Sequence, residues 1–345
     1  MSARLLALDV FRGLTVLLML FVNNQTLYNP PSWLGHAPFA SGVYLADWVF
    51  PWFLLAMGVA IPFSRRRFLA SGRPEWLYEV RILRRVALLF LLGLGLSSLS
   101  AGHLVFTLDV LQLIALAYWL GAWLYDLPPL RRGVLALLLL LVYEAALLLV
   151  PVPGVGQGVY REEANLMRHL NATYLAPLGL RGVFSAIPTG ALVLFGTLVG
   201  EALGRGGRGV YPLAWAALVL GLALRLGLPY DKTYWTPPYI LVTAGVGALL
   251  LGLLQFLDAK PPRGLEAVRA LGANPLLAYV LPVAFKLGIL MRLRLGEESL
   301  QDRLLSLLAQ TMGPLWAGWA FTLGYIGLWW GVMYLFYRRG IFLKV

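Results

Sequence analysis

The sequence predicts an all-α integral membrane protein, a polytopic bundle of about ten transmembrane helices. Of its 345 residues, 60% are hydrophobic and only 13% are charged, and the mean hydropathy is +0.76. A soluble globular domain is nearer half apolar and a quarter charged. Only helices and closed barrels satisfy their backbone inside a bilayer, and each helix does so within one segment. The composition therefore excludes a water-soluble enzyme, a disordered chain and a fibrous protein.

Ten apolar segments justify the helix count. Each has about 17–27 residues, enough to cross a hydrocarbon core of roughly 30 Å with some tilt. The loops between them are short, so we expect residues 1–345 to form a single transmembrane domain. The predicted spans are residues 5–26, 41–63, 83–99, 104–125, 133–151, 181–203, 210–227, 236–257, 268–290 and 311–337.

The 28 Lys and Arg residues are distributed unevenly between alternate loops. With a cytoplasmic N-terminus, the inner loops hold twice as many of these residues as the outer loops. Cationic residues near span ends are retained in the cytoplasm. We therefore expect both termini to be cytoplasmic, with the chain in the cell inner (plasma) membrane. This bias accounts for the net charge of +12. We therefore expect membrane lipids as partners and no nucleic acid.

Cysteine is absent from the sequence. That absence excludes disulfides, thiolate metal sites and a cysteine acyl carrier. No motif has the spacing of metal ligands, so no metal is expected.

Several ionisable residues fall inside predicted spans, where such groups are costly and usually face a cavity or a partner. Asp9 and Arg12 lie three residues apart, on one face of the first helix. They form either an internal ion pair or a site in which Arg12 holds a phosphate. Asp109, Gln112 and Glu144 also need partners, which the sequence does not assign.

One of the three histidines, His36, has a context that suggests chemistry. It lies between Asn23, at the end of the first span, and Asp47, a short way into the second. A histidine ordinarily changes charge near neutral pH and can act as a general base. A nearby carboxylate would fix the tautomer of the imidazole. The spacing permits this cluster, although a solvated surface histidine is the simpler interpretation.

Aromatic residues are concentrated on the predicted outer side. They form either the interfacial belt of a membrane protein or a surface that stacks on sugar rings. The set includes Tyr28, Trp33, Phe39, Tyr44, Trp48, Tyr160, Tyr174, Tyr230, Tyr234, Trp235 and Tyr239.

The N-terminal motifs are more specific. The stretch LDVFRGLTVLLMLFVNN, followed by GHAPFASGVYLADWVFPWF, resembles the signature of the heparan-α-glucosaminide N-acetyltransferase family of transmembrane acyltransferases. The matched positions are Asp9, Phe11, Arg12, Gly13, Asn23, His36, Ala37, Ala46, Asp47, Phe50, Pro51, Trp52 and Phe53.

Later segments resemble the family's motifs in the same order, so the resemblance covers nearly the whole chain. They are DVLQLIALAY, SAIPTGALVLFGTLVGEAL, DKTYWTPPYIL, GANPLLAYV and YRRGIFLKV. The chain departs from the family pattern where Asp109 replaces Gly, where Leu113 replaces Arg, and where LGLRG replaces an acidic D-P-E-G segment.

The resemblance implies that an acetyl group moves from cytoplasmic acetyl-CoA to an amino sugar or glucosaminide on the far side. His36 would be the general base, Asn23 would stabilise the developing oxyanion, and Asp47 would either orient His36 or line the cavity. Transfer is either direct, which we favour, or through an acetyl-histidine intermediate, and O-acylation of a glycan stays open, as does a homodimer. The residues assigned to acetyl-CoA are Arg12, Arg65, Arg84, Arg85, Arg131 and Lys260, and those assigned to the acceptor are Trp33, Lys232, Trp235, Tyr239 and Asn274.

Two other classes of function stay open on the sequence. Ten spans with internal charges also suit a sugar or lipid transporter or flippase, although no internal repeat is evident. A catalytically silent scaffold is the third class. Consumption of acetyl-CoA would distinguish an acetyltransferase from a transporter. Loss of CoA binding would favour the scaffold.

Overall fold

The computed structural model describes residues 5–258 and 264–343, and their regular secondary structure is almost entirely helical. Its helices are α1 Leu6–Asn24, α2 Val49–Leu69, α3 Trp76–Ala101, α4 Val110–Trp123, α5 Pro129–Leu149, α6 Leu166–Leu170, α7 Ala186–Gly204, α8 Val210–Leu224, α9 Pro237–Leu254, α10 Leu265–Ala273, α11 Pro275–Phe285 and α12 Leu300–Arg338. Two-residue strands, β1 Arg294–Leu295 and β2 Glu298–Ser299, pair antiparallel before α12. Single 3-10 or π turns cover Ser32–Leu34, Leu45–Trp48, Asn171–Leu175, Ala176–Leu178, Val183–Ser185, Gln255–Asp258 and Lys286–Leu290.

Seven helices in the described ranges are long and apolar enough to cross a membrane. They are α1, α2, α3, α5, α7, α9 and α12, some extended by an adjoining 3-10 turn. The bent pair of α10 with α11 gives an eighth if it counts as one span. The shorter apolar helices α4 and α8 coincide with the fourth and seventh predicted spans. The all-α membrane class is thus confirmed, whereas ten spans and the orientation of the termini stay predictions.

The fourth helix is shorter than the sequence predicts because Asp109 begins it. The Asp109 side chain accepts from the backbone N–H of Val110 at 2.8 Å, and Gln112 accepts from the Asp109 N–H at 3.3 Å, which forms a capping box. Glu144, the other carboxylate predicted at membrane depth, accepts from the Tyr160 hydroxyl at 3.1 Å. Asp109 and Gln112 are therefore paired within the start of α4, whereas one oxygen of Glu144 is buried without a hydrogen-bond partner among the described residues.

Two predicted spans contain breaks that their apolar content does not reveal. Between α10 and α11 the axis bends by 78° at Asn274, which has non-helical dihedrals and precedes Pro275. The last helix kinks at Gly313, whose φ of 80° lies in the left-handed region, directly before Pro314. Residues before proline avoid the helical conformation, which explains both positions.

The centre of the bundle is the contact between α2 and α7, which glycines allow to be close. The Cα atoms of Gly58 and Gly196 lie against each other, and a Cβ added at Gly58 would collide with the backbone oxygen of Val193. Small residues at helix interfaces are the usual way for membrane helices to pack closely. This contact holds the start of α2 and the segment before α7 together at one end.

We expect Gly58→Val to destabilise the fold by about 1–3 kcal/mol, because the added side chain overpacks the α2–α7 contact. Thermal unfolding of the detergent-solubilised protein measures this as a lower midpoint. Gly95→Val is the matched control, since a Cβ at Gly95 meets no atom within 4 Å. Equal midpoints for the two variants would contradict the account of this interface.

The helical bundle has two chemically different ends. The start of α1, the end of α2 and the end of α7 meet at what we call the arginine end, with Arg12, Arg66 and Arg67. The end of α1, the start of α2 and the segments before α4, α7 and α9 meet at the histidine end, with Asn23 and His36. The candidate functional residues therefore lie at opposite ends of the same helices.

Candidate active site

His36 is positioned by the loop between α1 and α2. The 3-10 turn Ser32–Leu34 ends at Gly35, whose carbonyl accepts from the backbone N–H of Ala46 at 3.2 Å. This hydrogen bond draws the residue before His36 against the turn that carries Asp47. Eleven residues of sequence separation thereby become a direct contact.

The His36 and Asp47 side chains are hydrogen-bonded. Nδ1 of His36 lies 2.6 Å from Oδ1 of Asp47. The other carboxylate oxygen accepts from the backbone N–H groups of Ala37, at 3.0 Å, and Tyr44, at 2.9 Å. The Asp47 side chain is 2% exposed and that of His36 is 58% exposed. A fixed, buried carboxylate thus orients an exposed imidazole, whose other nitrogen, Nε2, lies 3.5 Å from Nζ of Lys232.

Tyr239, predicted to bind the acceptor, contacts the turn that carries Asp47. It is fully buried, and its hydroxyl donates to the backbone oxygen of Asp47 at 2.6 Å. In the structure, the Tyr239 hydroxyl is therefore bonded to the backbone of the site.

Lys232 enters the cluster from the loop before α9. Its Nζ lies 2.9 Å from Nδ1 of His36 and 3.5 Å from Oδ1 of Asp47. The loop is held by Asp231, which accepts from the backbone N–H of Thr233 at 2.6 Å and from that of Ala40 at 2.9 Å. Burial lowers the pKa of Lys232, and the charge of Asp47 partly opposes that shift.

Asp47 and Lys232 compete for the same ring nitrogen. A carboxylate accepts only, so its contact requires a proton on Nδ1 of His36 and leaves Nε2 with a lone pair. An ammonium donates only, so its contact requires the opposite tautomer. The structure therefore brings together a base, its orienting group and a cation able to change the tautomer.

A cavity of about 360 Å³, the histidine cavity, opens beside this cluster. Asn23, His36, Lys232 and Trp235 line it, as predicted site residues. Its other walls are mostly apolar. The positions at which the chain departs from the family pattern, Asp109, Leu113 and Arg181, also line it.

A second cavity of about 500 Å³, the acidic cavity, lies on the other face of the cluster. Its carboxylates are those of Asp47, Glu162 and Asp231. His36, Lys232 and Trp235 line both cavities and form the wall between them. A group bound on either side would meet the imidazole.

The arginine end holds a third cavity, the arginine cavity, of about 920 Å³. The cationic residues that line it are Arg12, Arg66, Arg67 and Arg81. One carboxylate, Asp9, is at its edge and lies 4.0 Å from Arg269. Arginine suits phosphate binding because its planar group forms paired hydrogen bonds.

Among the described residues, the other arginines predicted to bind acetyl-CoA lie outside the lining of this cavity. Arg65 is buried, forms two hydrogen bonds with Asp126 and stacks on a tyrosine ring. Arg85 lies over the ring of Tyr118 at 4.4 Å. Arg84 and Arg131 are exposed, and Lys260 lies outside the described residues.

Two residues predicted to bind the acceptor lie away from the cluster. Trp33 is 58% exposed on the turn before His36. Asn274 is buried at the α10–α11 bend, where its side chain donates to the Ile341 oxygen at 2.8 Å and accepts from the Leu343 N–H at 3.1 Å. Asn274 thereby connects the bend to the C-terminal segment.

The sequence did not single out four residues that line these cavities. Asp231 begins the DKTYW turn, where an aspartate that bonds to the following N–H groups is a recognisable signal. Arg181 and Glu162 lie in loops whose path depends on tertiary contacts. Arg81 was counted only among the loop cations, and no local pattern distinguishes it from Arg84.

The fold and the site define a helical membrane protein in which a histidine oriented by a carboxylate separates two cavities. Residues 4–216 match the family model described as "Heparan-alpha-glucosaminide N-acetyltransferase, catalytic". The chain belongs to this family, as its motifs predict.

Curated relatives are similar over a shorter region. Heparan-alpha-glucosaminide N-acetyltransferase of Mus musculus is 35% identical over 94 residues, and that of Homo sapiens is 34% identical over 95 residues. Each match covers 26% of this chain and 13% of the relative. The chain therefore spans only a small part of the length of these relatives.

Proposed function

We propose that this protein is a transmembrane acetyltransferase that moves the acetyl group of acetyl-CoA to an amine on the opposite side of the membrane. The observation that supports this most strongly is the position of His36 in the wall between two cavities. Its 2.6 Å contact with Asp47 leaves Nε2 to act as a base. Family membership supports the same chemistry.

The donor binds at the arginine end in this proposal. Arg12, Arg66, Arg67 and Arg81 offer guanidinium groups to the phosphates of CoA. Along α1, Arg12 lines the arginine cavity and Met19 lines the histidine cavity. Seven residues of helix rise about 10 Å. The pantetheine arm has to cross that distance between the helices to deliver the thioester to His36.

The acceptor approaches from the acidic cavity. An amino sugar arrives largely as an ammonium ion, and the exposed Glu162 offers a carboxylate to it. Trp235 offers an aromatic face for the sugar ring. The ammonium ion has to lose one proton to solvent before the amine attacks, so that a neutral His36 can take the second proton.

The proposed reaction is direct and balanced. The neutral amine attacks the thioester carbonyl carbon while Nε2 of His36 takes the proton of the amine. The side-chain N–H of Asn23 donates to the carbonyl oxygen as it becomes negative. The intermediate then collapses, the carbon–sulfur bond breaks, and the imidazolium returns the proton to the CoA thiolate. The products are an N-acetyl amine and free CoA.

The arginine end faces the cytoplasm in this proposal. The retention of cationic loops supports that orientation and places both termini on the cytoplasmic side. An acetyl-histidine intermediate is the alternative pathway, and accumulation of an acetylated His36 without acceptor would favour it.

We expect Arg67→Gln to weaken acetyl-CoA binding by roughly 10-fold or more, because a charge-assisted hydrogen bond contributes about 1.5–3 kcal/mol. The KM for acetyl-CoA should rise while kcat changes little, since Arg67 lies far from the thioester. Arg84→Gln is the matched control on the same side, as an exposed arginine outside the cavity lining. A larger effect for Arg84→Gln would contradict the assignment of the arginine cavity.

Lys232 is proposed as a positioning residue for His36. Its ammonium lies 2.9 Å from Nδ1 of His36 and 3.5 Å from the Asp47 carboxylate, so it contacts both side chains of the pair. We therefore expect Lys232→Met to lower kcat by roughly 10-fold, the effect of one lost charge-assisted contact, while the KM for acetyl-CoA changes little. Lys232→Arg keeps the charge and should restore most of the kcat. An unchanged kcat in Lys232→Met would contradict this role.

The proposed function is tested by thiol release from acetyl-CoA in detergent solution, with glucosamine as the acceptor. Acceptor-dependent release is expected. No release across a panel of amines, together with no binding of acetyl-CoA, would overturn the proposal and favour a transporter. The panel should include hydroxyl acceptors, which report O-acylation.

A further inference from the structure

An apolar groove of about 790 Å³ lies on the side of the bundle and shares no described lining residue with the three cavities described above. We call it the lateral groove. Its walls come from α5 and α8 and its floor from α7. The lining is mostly aliphatic and includes Leu130, Gly133, Leu198 and Leu213.

The groove is about as long as one membrane leaflet is thick. On α7 it extends from Phe195 to Arg205, and on α8 from Gly209 to Leu220. Ten or eleven residues of helix rise about 15 Å, which is half of a hydrocarbon core of roughly 30 Å. Leu130 is 80% exposed beside it. A single acyl chain therefore fits the groove in both depth and chemistry.

One end of the groove is cationic. Arg205 lines it and its side chain is 69% exposed. Arg131 and Arg208, next to the lining residues Leu130 and Gly209, are also exposed. Among the described lining residues, the one carboxylate, Glu201, is paired with the buried Arg132 and lies 3.5 Å from Arg205. The excess positive charge at this end suits an anionic head group.

We propose that the lateral groove binds an anionic glycerophospholipid, with one acyl chain between α5 and α8 and the phosphate at Arg205. The polar end of the groove is the arginine end of the bundle. The lipid therefore belongs to the leaflet on that side. This site does not depend on the proposed acetyl transfer.

Native mass spectrometry of the purified protein tests this site, with dioleoyl phosphatidylglycerol and dioleoyl phosphatidylcholine as probes. We expect the wild type to retain one phosphatidylglycerol and to prefer it over phosphatidylcholine. Arg205→Gln should weaken retention of phosphatidylglycerol by roughly fivefold, the effect of one cationic residue near anionic lipid. Arg303→Gln, an exposed arginine outside the groove, is its control.

Gly133→Leu fills the groove itself and should remove the retained lipid. A Cβ at Gly133 meets the nearest atom, on Leu198, at an ordinary 3.5 Å, so the backbone tolerates the change. Gly95→Leu adds the same bulk to an exposed position with open space and is the matched control. Equal retention in all variants, equal retention of the two lipids, no retained lipid, or a dimer formed through this face would each overturn the proposal.

Discussion

His36→Ala should abolish acetyl transfer, with a loss of at least about 100-fold in kcat. A positioned general base contributes typically 10²–10⁴-fold, and alanine leaves no group to take the proton of the amine. The binding of acetyl-CoA should change little, because the proposed phosphate contacts lie at the other end of α1. Steady-state thiol release gives the kcat, and equilibrium binding of acetyl-CoA gives the second quantity.

His103→Ala is the matched control for this variant. His103 is also exposed, but it lies outside the lining of the histidine and acidic cavities. Its replacement should leave kcat within the error of the wild type. Wild-type turnover in His36→Ala, with a folded protein, would remove His36 from the mechanism.

Asp47→Asn should also lower kcat by at least about 100-fold while keeping the fold of the turn. The amide preserves the size of the side chain, but its nitrogen cannot accept the hydrogen bond that fixes the His36 tautomer. Lys232 would then be the stronger partner for Nδ1, at 2.9 Å. Nε2 would carry the proton and could not act as the base. In a serine-protease triad, replacing the aspartate by asparagine likewise leaves the histidine in the wrong tautomer.

The buried position of Asp47 makes a stability control necessary. Asp47 accepts backbone hydrogen bonds from Ala37 and Tyr44 as well as contacting His36. Tyr239→Phe removes the hydrogen bond to the Asp47 backbone and leaves the carboxylate intact. We expect it to lower the unfolding midpoint with a much smaller loss of kcat. Comparable losses of kcat in the two variants would indicate a purely structural role for Asp47.

Much of the fold could be predicted from hydropathy because bilayer length sets helix length. The boundaries that differ depend on local chemistry. Asp109 and Gln112 form a capping box that excludes residues 104–109 from α4. Asn274 and Gly313 adopt non-helical dihedrals before prolines inside apolar runs. Hydropathy averages over such positions and therefore misses the breaks.

The candidate site was predicted in part. The contact between His36 and Asp47 follows from a short loop, so sequence spacing was informative. Lys232 is 196 residues from His36 along the chain, and only the tertiary fold brings its ammonium to the imidazole. For the arginines, composition does not distinguish one from another, whereas orientation on α2 separates Arg67, which lines the arginine cavity, from Arg65. That orientation depends on partners such as Asp126.

The central claim is acetyl transfer across the membrane through His36, and sealed proteoliposomes test it most directly. Glucosamine is trapped inside, acetyl-CoA is added outside, and protein inserted with its arginine end outward is the active population. The account predicts N-acetylglucosamine inside the vesicles, matched by free CoA outside, and neither product with His36→Ala. Unmodified glucosamine leaving the vesicles with acetyl-CoA intact would contradict the account and identify a transporter.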